Sequence, residues 1–317
     1  MNPALSVIFF TTATGAGYGL LAIVGMMVFS NMPIDRHSGM IALGIGFVLV
    51  SFGLVSSTYH LGHPFRAWRA FSQWRSSWLS REGVVSMVCF IPMLWLLWMF
   101  YDSSMIMGMP EYAGVVAATL TFTAWLTVYC TAMIYRSLPT IAEWYTPLTM
   151  PCYILFSLMS GAVFLNAILM VLEDANVTIT GLASLLAIWG WLMKRRYWFH
   201  IDNVEPSTTM ESATGLGHLG KVRSFETPHS SDNYLLKEMG FVVARKHSAR
   251  LRKLAIILSF GLPSILCALS IFFFNQILGS LLSGLAVIAV SLGLVIERWL
   301  FFAEARHVVN LYYGRDI

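Results

Sequence analysis

Eight apolar stretches dominate this sequence, each near the roughly 20 residues that an α-helix needs to cross the ~30 Å hydrocarbon layer of a membrane. Backbone polar groups in lipid must be satisfied within their own segment, so each stretch is expected to be a helix rather than a strand. The hydrophobic fraction of 57% against 11% charged agrees with a multi-pass membrane protein. The predicted spans are residues 5–29, 40–59, 84–101, 113–134, 152–172, 177–193, 254–274 and 277–302.

The spans leave no room for a second folded domain of ordinary size. The sequence therefore predicts an all-α, polytopic membrane protein with a single eight-helix domain over residues 1–317. The longest connection, residues 194–253, mixes both charge signs with Gly, Ser and Thr and includes a predicted amphipathic stretch over 235–243. Connections of this length are usually functional or disordered, and we expect this one to dock a soluble partner. A solvated loop without that role is the alternative.

The basic residues are distributed unevenly about the predicted spans. All but two of the 20 Lys and Arg fall in connections, or in the tail, on one side of the membrane. The exceptions are Arg36 on the other side and Arg298 inside the last span. The positive-inside rule then places the basic side and both termini in the cytoplasm of a bacterial inner membrane. The net charge of +4 is interpreted as this topological signal rather than as a nucleic-acid-binding patch.

The cysteines and histidines do not follow the patterns of metal or haem ligands. The four Cys stand singly within or beside spans, which argues against an iron–sulfur cluster, a zinc site or a disulfide framework. All eight His lie in connections or at span ends, whereas membrane haem usually takes its imidazoles from within facing helices. We therefore expect no haem, iron–sulfur cluster or molybdenum in this chain. A redox function then requires a partner that carries the electrons.

Ionisable residues near membrane depth are the first candidates for chemistry. The segment STYHLGHPFR places His60 and His63 where span 2 leaves the bilayer, although Gly62 and the following proline indicate that the helix ends before His63. Across the basic loop, Glu82 is expected in the first turn of span 3, where the helix dipole favours a carboxylate. A hairpin of the two spans would bring His60 and Glu82 to the same depth.

Such a pair suits quinone chemistry. Reducing a quinone takes two electrons and two protons, so its carbonyl oxygens need groups that deliver protons from water. Imidazole titrates in the right pH range, and a carboxyl group at the membrane edge can relay the second proton. We interpret His60 and Glu82 as a quinone-binding and proton-exchanging pair. An interfacial imidazole and a carboxylate that merely caps its helix are the alternatives.

Other residues are candidates for the wall of this pocket or for a partner interface. For Trp144 or Tyr145 taken singly, the aromatic belt at the membrane surface is the favoured alternative. Inside span 8, Glu297 and Arg298 are predicted to form a buried ion pair, because a lone charge in lipid is costly. The candidates for the wall or interface are Gly62, His63, Arg66, Trp74, Arg75, Tyr135, Trp144 and Tyr145.

The same segments carry a family resemblance. Residues 60–67 (HLGHPFRA) and 80–82 (SRE) resemble the membrane anchor of dimethyl sulfoxide reductase, and the likeness covers all eight spans. The resemblance implies two partners on the anchor, a molybdopterin catalytic subunit and a four-cluster, ferredoxin-like iron–sulfur subunit. It also implies exchange of electrons with ubiquinone or menaquinone. By resemblance, His60 and Glu82 match the family's quinone-site histidine and glutamate.

Other segments look like a different branch of this family. Residues 73–82, 215–223 and 233–241 are similar to the anchor of the cytoplasmic sulfite-oxidising complex, the sulfite dehydrogenase. The charge distribution agrees, because an anchor for a periplasmic reductase would expose the His60 loop outside. The resemblance thus implies electron flow from sulfite, oxidised by cytoplasmic partners, to membrane quinone.

Three alternatives stay open at this point. The chain could anchor another molybdoenzyme, such as dimethyl sulfoxide reductase, and oxidise quinol. A secondary transporter would show an inverted repeat and broken helices or polar groups at mid-membrane, and neither signal is clear here. A purely structural tether would tolerate the loss of His60 and Glu82.

Overall fold

The computed structural model describes residues 4–59, 63–102, 110–204, 208–226, 243–274 and 276–313. Eight helices among them are long and apolar enough to cross a membrane. No strand occurs within these ranges, and the predicted all-α membrane fold is confirmed. The helices are α1 (Leu5–Phe29), α2 (Arg36–Thr58), α3 (Trp78–Tyr101), α4 (Ala113–Arg136), α5 (Thr149–Val171), α6 (Val177–Asn203), α7 (His247–Phe273) and α8 (Ile277–Ala303).

Helix α1 lies at the centre of the bundle, where it packs against α2, α4 and α5. Small residues allow these close approaches. Gly19 and Gly161 bring the backbones of α1 and α5 together, since a Cβ atom on either residue would collide with the other helix. Gly17 and Gly46 do the same between α1 and α2. Such contacts are typical of helix packing in membranes, where small side chains let dispersion forces act between backbones.

Because each long helix crosses the bundle, consecutive helices run in opposite directions. Both ends of the described chain therefore lie on one side, which we call the N-terminal face. The described parts of the connections after α2, α4 and α6 and the described residues after α8 lie on this face. The described basic residues of those connections consequently share it. The side of the membrane to which the N-terminal face points stays a prediction from the positive-inside rule.

Arg36, the basic residue on the opposite face, binds the end of a helix. Its Nε donates a hydrogen bond to the carbonyl oxygen of Phe100 at 2.6 Å, and its Nη2 donates to that of Tyr101. Carbonyls at the end of a helix lack helical partners, and a cation there also interacts favourably with the helix dipole. A local structural role thus accounts for this exception to the charge asymmetry.

Helix α3 begins at Trp78, earlier than the predicted residue 84. Ser77 caps it, since its Oγ accepts a hydrogen bond from the backbone N–H of Ser80 at 3.4 Å. Glu82 is therefore not in the first turn, as the sequence predicted, but one turn further into the bundle. The first-turn interpretation was wrong because the span was judged by its apolar residues, whereas the helix starts at its polar cap.

Helix α6 continues to Asn203, beyond the predicted residue 193. The helical segment that leads into α7 begins at Val243. In the extension of α6, Lys194 is buried, and its charge is neutralised by Glu297. The predicted 194–253 connection is thus partly helical. The segment 233–241 and most of the predicted amphipathic stretch lie outside the described residues.

Candidate functional site

Glu82 is buried between α3 and α4 and is only 4% exposed. Its Oε1 accepts a hydrogen bond from the hydroxyl of Thr131 on α4. Ser86, one turn further along α3, donates its hydroxyl to the backbone oxygen of Glu82 at 2.7 Å. A carboxyl group shielded from bulk water and held by a hydroxyl donor is suited to exchange a proton with a molecule that reaches it.

His60 and Gly62, the predicted neighbours of this carboxyl group, lie outside the described residues. Helix α2 ends at Thr58, so it stops before His63, as Gly62 and Pro64 indicated. His63 is exposed on the N-terminal face. The pairing of His60 with Glu82 stays a prediction.

The connection between α2 and α3 forms a 3₁₀ helix, Pro64–Gln73, that is fastened to the start of α3. The hydroxyl of Ser80 donates to the carbonyl oxygen of Ala70. Arg81 donates from Nε to the carbonyl oxygen of Trp74 at 2.9 Å and from Nη2 to that of Arg75 at 2.6 Å. We call the exposed aromatic and basic side chains of this connection the 64–75 surface. It includes Phe65, Arg66, Trp68, Arg69, Trp74 and Arg75.

Tyr135 and Trp144 are buried together, whereas Tyr145 is 59% exposed. The rings of Tyr135 and Trp144 meet edge to face at 5.2 Å between centroids. Trp144 also stacks on Phe301 and donates from its Nε1 to the Phe301 carbonyl oxygen at 2.9 Å. The belt interpretation is wrong for Trp144, because its ring is inside the bundle rather than at the lipid surface.

Glu297 and Arg298 are buried in α8 together with Lys194 from α6. Glu297 accepts a hydrogen bond on Oε1 from Lys194 Nζ, and its Oε2 lies 3.2 Å from Nε of Arg298. The guanidinium carbon of Arg298 lies 3.8 Å from the ring centroid of Tyr153, a cation–π contact. Two cations thus share one carboxylate, and the cluster carries net positive charge.

A small cavity between α1, α4, α5 and α8 is lined by Arg298 of this cluster and by Thr131, the hydrogen-bond donor to Glu82. About 20 Å³ of it is open to the centres of water molecules, which is room for one water. Arg298 and Tyr153 line the cavity on one side, and Thr131 lines it on another while donating to Glu82. The geometry therefore gathers a buried carboxyl group, a buried guanidinium and several hydroxyls in one part of the bundle.

Hydroxyl groups and the guanidinium group of Arg298 line the cavity. Within the described part of the chain, no three His, Cys, Asp or Glu side chains are grouped to hold a metal ion. The thiols are buried singly in four different helices, at Cys89, Cys130, Cys152 and Cys267. The hydroxyl groups and the guanidinium group around the cavity can donate hydrogen bonds to one oxygen atom.

Comparison with known proteins assigns the family. The model of the family described as DMSO reductase anchor subunit (DmsC) matches residues 1–314. The chain belongs to this anchor family. It is also 32% identical to the sulfite dehydrogenase C subunit of Allochromatium vinosum, in an alignment 339 positions long that covers 99% of each chain. The resemblance stated from residues 60–67 and 80–82 is confirmed.

Two residues of this anchor protein escaped the sequence patterns. The charge count places Lys194 in a connection, yet it lies on the inward stripe of α6. That stripe has helical spacing and would have identified Lys194 as buried. Thr131 gives no comparable signal, because its bond to Glu82 depends on how α3 packs against α4. The buried residues of the stripe are Ala187, Gly190, Lys194, Tyr197 and Ile201.

Proposed function

We propose that this anchor is the quinone-reactive subunit of a heterotrimeric molybdopterin and iron–sulfur oxidoreductase. The observation that carries the proposal is the position of Glu82. Its carboxyl group is buried, bound by Thr131, and close to the N-terminal face where the basic connections lie. A lipid-soluble electron carrier and protons from water can meet at such a depth.

The proposed reaction adds two electrons and two protons to a quinone, so that both carbonyl oxygens become hydroxyls. Glu82 supplies one proton and is held in place by the Thr131 hydroxyl. His60, which follows α2 in the sequence, supplies the other. A positioned acid of this kind typically accelerates proton transfer by about 10²–10⁴-fold.

The electrons come from partner subunits in this proposal. We place a four-cluster iron–sulfur subunit on the N-terminal face and a molybdopterin catalytic subunit beyond it, both in the bacterial cytoplasm. The 64–75 surface supports docking there, because exposed tryptophan and arginine are the residue types that dominate protein interfaces. The 194–253 connection is a second docking segment on the same face.

Sulfite is the proposed electron source. The support is the full-length similarity to the sulfite dehydrogenase C subunit, together with a charge distribution that points the quinone site inward. A second candidate is an anchor that oxidises quinol for a reductase, which the family description favours. Assays of the purified complex with sulfite, sulfoxides, thiosulfate and tetrathionate separate the two.

The test of quinone reactivity is Glu82→Gln, which keeps the size of the side chain but removes the acid. We expect sulfite-driven reduction of ubiquinone in membranes to fall about a hundredfold. Sulfite oxidation with a soluble artificial acceptor should stay normal, because that route bypasses the membrane site. His60→Gln should behave in the same way.

Glu111→Gln is the matched control, since Glu111 is exposed and lies on the opposite face. It should leave both activities unchanged. The three variants should also retain their partner subunits during purification. Normal quinone-coupled rates in both Glu82→Gln and His60→Gln would contradict the proposal and leave the tether as the explanation.

A further inference from the structure

Buried hydroxyl groups line the central cavity. The hydroxyl of Thr12 on α1 has no hydrogen-bond partner among the described residues, and Tyr18 on α1 and Tyr153 on α5 line the same cavity. Buried polar groups in proteins are nearly always hydrogen-bonded, either to protein or to another molecule. An unpartnered buried hydroxyl in a cavity that two tyrosines also line therefore points to a polar atom bound there.

Arg298 adds a charged donor to the same cavity. Its side chain is only 5% exposed, and its one ion-pair contact in the described part of the chain is with Glu297 through Nε. Glu297 is shared with Lys194, so a positive charge is left over beside the cavity. A fixed cation beside a cavity attracts an oxygen that carries negative charge and repels a hydronium ion.

We infer from the burial of the lining residues that the mouth of the cavity is at α1. Most of its lining residues are buried, but Thr12 and Gly15 are half-buried, and Phe9, one turn before Thr12, is 49% exposed. A Cβ atom added to Gly15 would meet no other atom within 4 Å. These residues lie in the half of α1 next to the N-terminal face. The mouth thus opens on the lateral surface of the bundle, where lipid lies.

We propose that this cavity is a subsite for one carbonyl oxygen of the membrane quinone, with Arg298 as its principal hydrogen-bond donor. The proposal rests on the quinone function argued above. The space fits a single oxygen atom, so the quinone ring stays at the mouth near Thr12 and Gly15. As the two electrons arrive from the partner subunits, the charge on this oxygen rises and the guanidinium stabilises it.

The subsite also has a connection to the acid. Thr131 lines the cavity and donates its hydroxyl to Glu82. The oxygen bound by Arg298 is therefore separated from the Glu82 carboxyl group by one hydroxyl. Arg298 keeps its protons throughout the reaction. The two protons that convert the quinone to quinol come from the acid pair.

The first test measures quinone affinity rather than turnover. Ubiquinone-1 is titrated into the purified detergent-solubilised complex, and binding is followed by quenching of tryptophan fluorescence. Arg298→Gln should weaken binding at least tenfold, because it removes the charged donor and leaves Glu297 balanced by Lys194. The control, Gly284→Leu, changes a glycine on α8 that also has open space around its Cβ and should bind normally.

A second variant tests the mouth without touching the charges. Gly15→Leu fills the opening, and the open space around Gly15 means that the bundle itself tolerates the side chain. It should also weaken binding at least tenfold. Normal affinity in either Arg298→Gln or Gly15→Leu would overturn the subsite and identify the bound atom as the oxygen of water.

The two proposals fail in different ways. If the wild-type complex does not bind ubiquinone-1, the quinone function itself falls. If it binds and Glu82→Gln loses coupled turnover, but the Arg298 and Gly15 variants bind normally, the function stands and only the subsite is wrong. Weakened binding in both variants together with normal binding in Gly284→Leu supports both proposals.

Discussion

The buried charge cluster predicts that two substitutions in one ion pair have very different effects on stability. Glu297→Gln leaves Lys194 and Arg298 as two buried cations without a carboxylate. Removing one partner of a buried pair and leaving the other charge uncompensated costs about 3–5 kcal/mol of unfolding free energy. Lys194→Met instead leaves Glu297 and Arg298 in contact at 3.2 Å, so the charges stay balanced. Its cost is that of a lost hydrogen bond to a charged group, about 1.5–3 kcal/mol.

The assay is thermal unfolding of the solubilised complex, followed by tryptophan fluorescence. At roughly 2–4 °C per kcal/mol, Glu297→Gln should lower Tm by on the order of 10 °C and Lys194→Met by about half as much. Asp202→Asn is the control, because Asp202 is 52% exposed in its ion pair with Arg252 and such pairs contribute about 0–1 kcal/mol. Equal losses in Glu297→Gln and Lys194→Met would refute the argument from charge balance.

Three further predictions follow from individual contacts. Thr131→Val removes the hydroxyl donor to Glu82 and should lower quinone-coupled turnover about tenfold, whereas Thr119→Val, whose hydroxyl bonds only its own helix, should not. Arg81→Ala removes two of the hydrogen bonds that hold the 64–75 surface against α3 and should reduce the amount of iron–sulfur partner recovered on co-purification. Burial lowers the pKa of His307 below its usual 6.5, so protonation favours the unfolded chain and stability should decline as pH falls below about 6.5. His307→Gln should show a shallower decline in pH-dependent unfolding.

The fold was largely predictable because lipid imposes strict length and polarity limits on each span. The predicted bounds of α1 agree with the structure at both ends. The errors arose where polar residues belong to helices. Trp78 to Gly83 open α3 behind a serine cap, and Lys194 continues α6. A hydropathy pattern ends a span at the first charge, whereas a helix ends where its hydrogen bonds end.

The site was predictable only in part, for a different physical reason. Glu82, Glu297 and Arg298 stand out in the sequence because charge is rare inside a membrane. Their partners do not stand out. Thr131 is one of many threonines on α4, and its bond to Glu82 exists only because α3 and α4 pack in one register. Contacts between helices of this kind are set by tertiary packing, which composition and spacing do not encode locally.

The buried charges are confined to one half of the molecule. Among the described residues, every buried Asp, Glu, Lys or Arg lies at or near the N-terminal face. Burying a charge is expensive in a bilayer, so ionisable residues at membrane depth are the first candidates for a functional site. An anchor that receives electrons from partners on one face needs its acids and cations at that same depth, since electron and proton must meet at one quinone. The asymmetry of the buried charges therefore agrees with the asymmetry of the basic residues in the connections. The five buried charged residues are Glu82, Glu143, Lys194, Glu297 and Arg298.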